Sequence, residues 1–307
     1  MRGRTTTAAG TRTLSATLLI AALMTLTACG GESATGDRGT TADTAVPRTA
    51  TAPGPSATGL EHVHAVAVDP GDGATMLATH TGLFRLAPGA DAPVRVGDAR
   101  QDTMGFTITG AGRYLGSGHP APGTDLPPLL GLIASDDGGI SWRAVSLLGE
   151  ADFHVLRAAD ARIVGVDSVT GTLFVSDDAG ATWQRRTPPG AVIDLVIDAA
   201  RPDTLVAATG DGMAASRDAG ATWTALGGEP GYLAWPAPDM LYRAGADGAV
   251  AVSADRGRTW TPRGTIGRAP AAFSAADPTR LLAATHDGRL IESRDAGARW
   301  RTVADLG

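Results

Sequence analysis

The side chains of this sequence best suited to chemistry are six histidines and the few Asp, Glu and Met residues that fall near them. The histidines are His62, His64, His80, His119, His154 and His286. His62 and His64 are two positions apart, so on an extended strand both side chains lie on one face. Imidazoles that converge with Asp102, Asp152 or the thioether of Met104 offer the ligand types of a Zn, Cu or Ni site. A second chemistry would draw on carboxylates alone. Glu61, Asp102, Glu150 and Asp152 could supply the paired acid and base of a glycosidase. The choice between them turns on whether the fold brings these residues to one place.

The elements that must do so are written in a repeat. Five copies of one phrase run through the chain: SDDGGISW (135–142), SDDAGATW (176–183), SRDAGATW (216–223), SADRGRTW (253–260) and SRDAGARW (293–300). Successive tryptophans lie 41, 40, 37 and 40 residues apart, a period expected of four-stranded blades. Each copy follows a short apolar run and leads into another, which reads as a β-hairpin with the phrase as its turn. Asp137, Asp178, Asp218, Asp255 and Asp295 are expected to accept hydrogen bonds from backbone N–H groups about two residues on, closing the turn. The glycine supplies positive φ, and the Trp buries a large ring between neighbouring blades. These five Asp residues are therefore read as structural.

The phrase resembles the Asp-box, or BNR repeat, of sialidases, sortilin-like receptors and related propellers, over roughly residues 60–307. In that superfamily the Asp-boxes lie at the periphery, so the resemblance implies the fold and not a reaction. The arginine motif of the sialidases is missing, and LFRLAP (83–88) falls on a third strand. No Tyr–Glu pair offers itself from Tyr114, Tyr232 and Tyr242. The stretches RQDTMGFTITG, YLGSGHP, PPLLGLI and GEADFHVLRAA are similar to actinobacterial BNR-repeat lipoproteins labelled glycosyl hydrolase or exo-α-sialidase.

Six units of about 41 residues fit between His62 and Gly307. The expected fold is all-β: a six-bladed β-propeller of four-stranded blades with Asp-box turns, its radial repetition leaving only short edges. His62, His64 and His154 then stand at the starts of first strands, and His80, His119 and His286 at the ends of second strands. All six project toward one face, around the mouth of a central funnel. Asp102, Met104 and Asp152 fall in the same connections. Trp235, on the first strand of blade five, lines the funnel or packs between blades. The insertion from Pro120 to Pro128 is a lid or a passive loop.

Composition narrows the partners. All 26 basic residues are Arg, and the net charge is −6 with no basic stripe, which argues against nucleic acid. Hydrophobic residues make up 43% of the 307, ample for one large core. Arg2, Arg4 and Arg12 followed by the apolar run Leu14 to Leu26 read as an export signal. It ends in Leu26-Thr27-Ala28-Cys29, which looks like a lipobox, so residues 1–28 are expected to be removed and Cys29 lipidated. Cys29 is the only cysteine, which leaves no internal disulfide. Residues 30–59 are mostly Gly, Ser, Thr, Ala and Pro and read as a tether, with residues 60–307 as the propeller.

The expectation is a monomeric lipoprotein, anchored to the extracytoplasmic face of the membrane, that binds a glycan, metal or protein ligand through its His-bearing face. Two alternatives stay open. One is a Cu or Zn lipoprotein using His62, His64, His80, His119 and His154, with Met104. The other is a sialidase-like exo-glycosidase.

Overall fold

A computed structural model describes residues 59–307. The export signal, Cys29 and almost all of the tether lie outside the described residues. The described chain forms six four-stranded antiparallel sheets, each built from strands consecutive in sequence. Blade one is β1 (Val63–Val68), β2 (Thr75–Thr79), β3 (Gly82–Leu86) and β4 (Val94–Arg95). Blade two is β5 (Asp102–Gly110), β6 (Arg113–His119), β7 (Leu132–Ser135) and β8 (Arg143–Ser146). Blade three is β9 (Phe153–Ala159), β10 (Arg162–Asp167), β11 (Leu173–Ser176) and β12 (Gln184–Arg186). Blade four is β13 (Val192–Ile197), β14 (Leu205–Thr209), β15 (Gly212–Ser216) and β16 (Thr224–Gly227). Blade five is β17 (Tyr232–Ala237), β18 (Met240–Ala244), β19 (Ala249–Ser253) and β20 (Thr261–Thr265). Blade six is β21 (Pro270–Ala275), β22 (Leu281–Thr285), β23 (Arg289–Ser293) and β24 (Arg301–Asp305). This is a six-bladed β-propeller, and no helix occurs among the described residues.

The sequence of each strand matches its radial place. Second strands such as TMLAT, LVAAT and LLAAT are buried along their whole length, because neighbouring blades cover both of their faces. Fourth strands are short and largely exposed, as suits the rim. First strands line a central cavity of about 510 Å³.

The apolar side chains do not form the single core that the composition suggests. They divide into six clusters, one at each blade interface. A twisted sheet buries its faces only against its neighbours in the ring, so a closed ring of blades makes one core per interface. Trp142, Trp183, Trp223, Trp260 and Trp300 each sit at the interface with the preceding blade, only partly buried.

The repeated phrase closes its hairpin differently from the sequence expectation. The Asp does not bond two residues on; it reaches four. In the second copy, Asp178 Oδ1 accepts the Thr182 N–H at 2.8 Å, and Oδ2 accepts the Thr182 hydroxyl at 2.6 Å. The buried Ser176 hydroxyl donates to Asp178 Oδ1 at 2.8 Å and accepts the Gly180 N–H at 2.8 Å. The same bonds recur at Asp137, Asp218 and Asp255, whereas Asp295 accepts the Ser293 hydroxyl and the Arg299 N–H but loses the second hydroxyl, which Arg299 replaces. Two successive residues adopt positive φ, such as Ala179 (57°) and Gly180 (88°).

These bonds hold the carboxyls of Asp137, Asp178, Asp218 and Asp255 down to about 2, from an ordinary 3.8, with the side-chain hydroxyl the first cause. A folded-state pKa below the unfolded one stabilises the fold above the unfolded value, and that stability is lost as pH falls through the folded value. The contribution of these four turns to denaturant resistance should therefore be flat above about pH 4 and be lost between about pH 4 and 2. Chemical denaturation followed by tryptophan fluorescence should show this loss weakened in Asp178→Asn.

Candidate metal centre at the funnel mouth

The second-to-third-strand connections carry three of the histidines to the mouth, two of them on tight turns. The Thr79 hydroxyl donates to the Gly82 carbonyl at 2.7 Å, and His80 rides on the turn so formed. Thr285 anchors the equivalent turn in blade six by donating to Asp287 at 2.6 Å, with His286 between them. His119 ends β6 directly after Gly118, whose φ is 136°. A Cβ at Gly118 would run into the Asp102 carbonyl, so glycine is what lets His119 and Asp102 stand as register partners on β5 and β6. His64 lies on β1 and His154 on β9.

Two His–His–Asp sets result, each with its ligand atoms within 4.8 Å of one another. The first joins blades one and two. His80 Nδ1 is 2.9 Å from Asp102 Oδ2, and His64 Nε2 is 3.4 Å from Asp102 Oδ1. The latter pair is close but poorly aligned: both atoms are buried and neither makes a hydrogen bond. The second set joins blades two and three. Asp152 Oδ2 is 2.9 Å from His154 Nε2 and 3.5 Å from His119 Nε2.

The second set is held rigidly. Asp152 is 2% exposed; its N–H donates to Asp167 Oδ1 at 2.9 Å, and the Ser168 hydroxyl donates to its Oδ2 at 2.7 Å. The Phe153 N–H donates to the Ser117 hydroxyl at 2.9 Å, locking β9 to blade two. Asp152 Oδ1 is buried with no hydrogen-bond partner. His119 Nδ1 is 3.0 Å from the Pro128 carbonyl, and because a carbonyl only accepts, Nδ1 carries the proton. In the neutral ring, Nε2 then turns a lone pair toward Asp152. That outer hydrogen bond is the arrangement that fixes a metal-binding imidazole in its tautomer.

Burial pushes the Asp102 carboxyl up, but contacts with His64 and His80 outweigh it and leave the pKa below the ordinary value. At Asp152 burial is likewise outweighed, by hydrogen bonds from His154 and Ser168 and by the charges of His154 and His119. Both are anionic at neutral pH, as metal ligands must be. Neither is the protonated carboxyl that a glycosidase acid requires.

His62 and His286 belong to neither set but stand beside the first. The His62 ring centroid lies 5.5 Å from that of His64, 5.4 Å from His80 and 5.9 Å from His286. Met104 and Trp235 line the central cavity together with His64 and His154. The Trp235 Nε1–H donates weakly to the Pro238 carbonyl at 3.4 Å. Ser168, the Pro128 carbonyl and the Arg157–Asp194 pair were not marked by the sequence. Asp194 is 2% exposed, and Arg157 donates to it at 2.6 Å. It also accepts from the Leu195 and Leu233 N–H groups, tying blades three, four and five beneath the mouth. Burial raises its pKa despite these partners.

No protein-family model matches the sequence, and no curated protein matches it. Among solved structures, the GH74 xyloglucanase from Xanthomonas campestris is similar at TM-score 0.56 and 18% identity, covering 81% of this chain and 46% of that one. An ancestral GH74 enzyme gives TM-score 0.53 and 15% identity over 80% of this chain and 39% of that one. YCF48 from Cyanidioschyzon merolae gives 0.50 and 15%, over 81% of this chain and 88% of that one. The likeness is one of fold. This propeller spans less than half the length of either GH74 chain.

Proposed function

We propose that this propeller is a lipid-anchored, extracytoplasmic binding module whose mouth takes a divalent transition metal, Zn or Cu, at two His–His–Asp sets. The anchor and the compartment rest on the sequence around Cys29. The observation that carries the metal reading is the convergence of two imidazoles on one carboxylate in each set, with His64 Nε2 and Asp102 Oδ1 of the first set buried, 3.4 Å apart and without hydrogen bonds. Leaving such atoms unsatisfied costs about 1–3 kcal/mol each. A cation between them removes that cost. Two imidazoles and a carboxylate suit Zn or Cu, and at the second set His119 and His154 remain over 40% exposed, leaving room for water or an exchanging ligand. The acyl chains on Cys29 would hold the metal-binding face near the membrane on a flexible tether.

Elemental mass spectrometry of the untagged protein after incubation with Zn or Cu tests this. Two equivalents are expected in the wild type, and close to none in the His64→Ala, His154→Ala double variant. Equal metal content in the two proteins, or none in either, would sink the reading.

A further inference from the structure

The ring closes without any exchanged strand, since blade one and blade six are each built wholly from consecutive strands. Five of the blade interfaces carry a tryptophan from the repeated phrase. The interface between blades six and one carries none, because blade one lacks the phrase. It is filled instead by Leu60, Phe84 and Leu86 against Leu282, Leu290 and Leu306. The two ends of the described chain thus meet at a seam held by side-chain packing.

The extra histidines stand over this seam. His62, His64 and His80 come from blade one and His286 from blade six. His62 has φ of 41°, a left-handed backbone that is uncommon for a residue with a Cβ. Two imidazoles on one tetrahedral metal, with metal–nitrogen bonds of about 2.0–2.1 Å, place their ring centroids about 5 Å apart. The observed separations around His62 are 5.5, 5.4 and 5.9 Å, and His64 to His80 is 4.3 Å. His62 is thus within 6 Å of each of the other three rings and stands between the His64–His80 pair and His286.

We propose that His62 and His286 complete the coordination shell begun by His64, His80 and Asp102, so that one Zn or Cu ion clasps blade six to blade one. This rests on the metal-binding reading above and assigns the two sets different work. Four imidazoles and a carboxylate are one donor more than the four that close a tetrahedral structural zinc shell, so the first ion keeps no open position, while the second set keeps open positions for exchange. The first metal is then part of the fold, and the second is the exchangeable one.

The test is hydrogen exchange on the whole protein, with and without saturating Zn, alongside a count of bound metal. In the wild type, Zn should slow exchange at least about tenfold in β1, β21 and β22, the strands that meet at the seam. His286→Ala, a change at an exposed side chain, should lose that protection, and His119→Ala should keep it. Equal protection in His286→Ala and wild type, or none in either despite two bound ions, would overturn the clasp and leave the metal-binding reading standing. Absence of bound metal in the wild type would overturn both.

Discussion

Asp152→Asn is expected to weaken the second metal site on the order of a hundredfold or more, about 2.8 kcal/mol at 1.4 kcal/mol per tenfold. Asp152 Oδ2 faces both His119 Nε2 and His154 Nε2, so it is the one anionic donor common to both rings. The amide keeps the shape but removes the charge, and one arrangement turns an N–H toward the histidines. The first set uses Asp102 and should be unaffected. Competition titration with a chromophoric chelator should therefore resolve one weakened and one unchanged equivalent. Loss of both sites together, or of neither, would contradict two separate sets. The fold should survive, because the Asp152 backbone bonds to Asp167 and Ser168 do not involve the altered group.

Phe153→Ala is expected to have the largest effect on stability, about 3–5 kcal/mol. Its ring is fully buried in the interface between blades two and three. It meets Phe174 edge-on at 5.5 Å and Trp183 at 5.3 Å, geometries that add to simple burial. Gly165 has no side chain because a Cβ there would strike this ring, so the site is shaped around Phe153 and has little means to collapse after truncation. Urea denaturation should show a lower midpoint with an unchanged slope. Because Asp152 and His154 flank Phe153 in sequence, the second metal site should weaken with it. A loss under about 1 kcal/mol would mean the interface refills, against the close packing described here.

The repeat made the fold legible from sequence, since a phrase recurring at about 40 residues specifies one hairpin per blade. The local turn was less so: the Asp reaches four residues along and not two, because the buried Ser hydroxyl occupies the nearer N–H groups. The common direction of the six histidines followed from alternating strand direction alone. Which histidine meets which carboxylate did not. Asp102 pairs with His64 and His80 of blade one, and His119 crosses to Asp152 of blade three. Those contacts depend on the angle between blades, which has no periodic signal in the sequence. Ser168 and the Pro128 carbonyl were hidden for the same reason, one in a turn and the other at the end of the Pro-rich insertion. The one large core expected from composition became six because apolar content carries no information about how it is divided.

Crystals of the untagged protein soaked in Zn and measured across the Zn absorption edge would locate the ions themselves. Two anomalous peaks are expected at the mouth, one among His64, His80 and Asp102 and the other among His119, His154 and Asp152. A mouth without anomalous density, with Zn scattered over surface carboxylates, would mean that these histidines are not metal ligands.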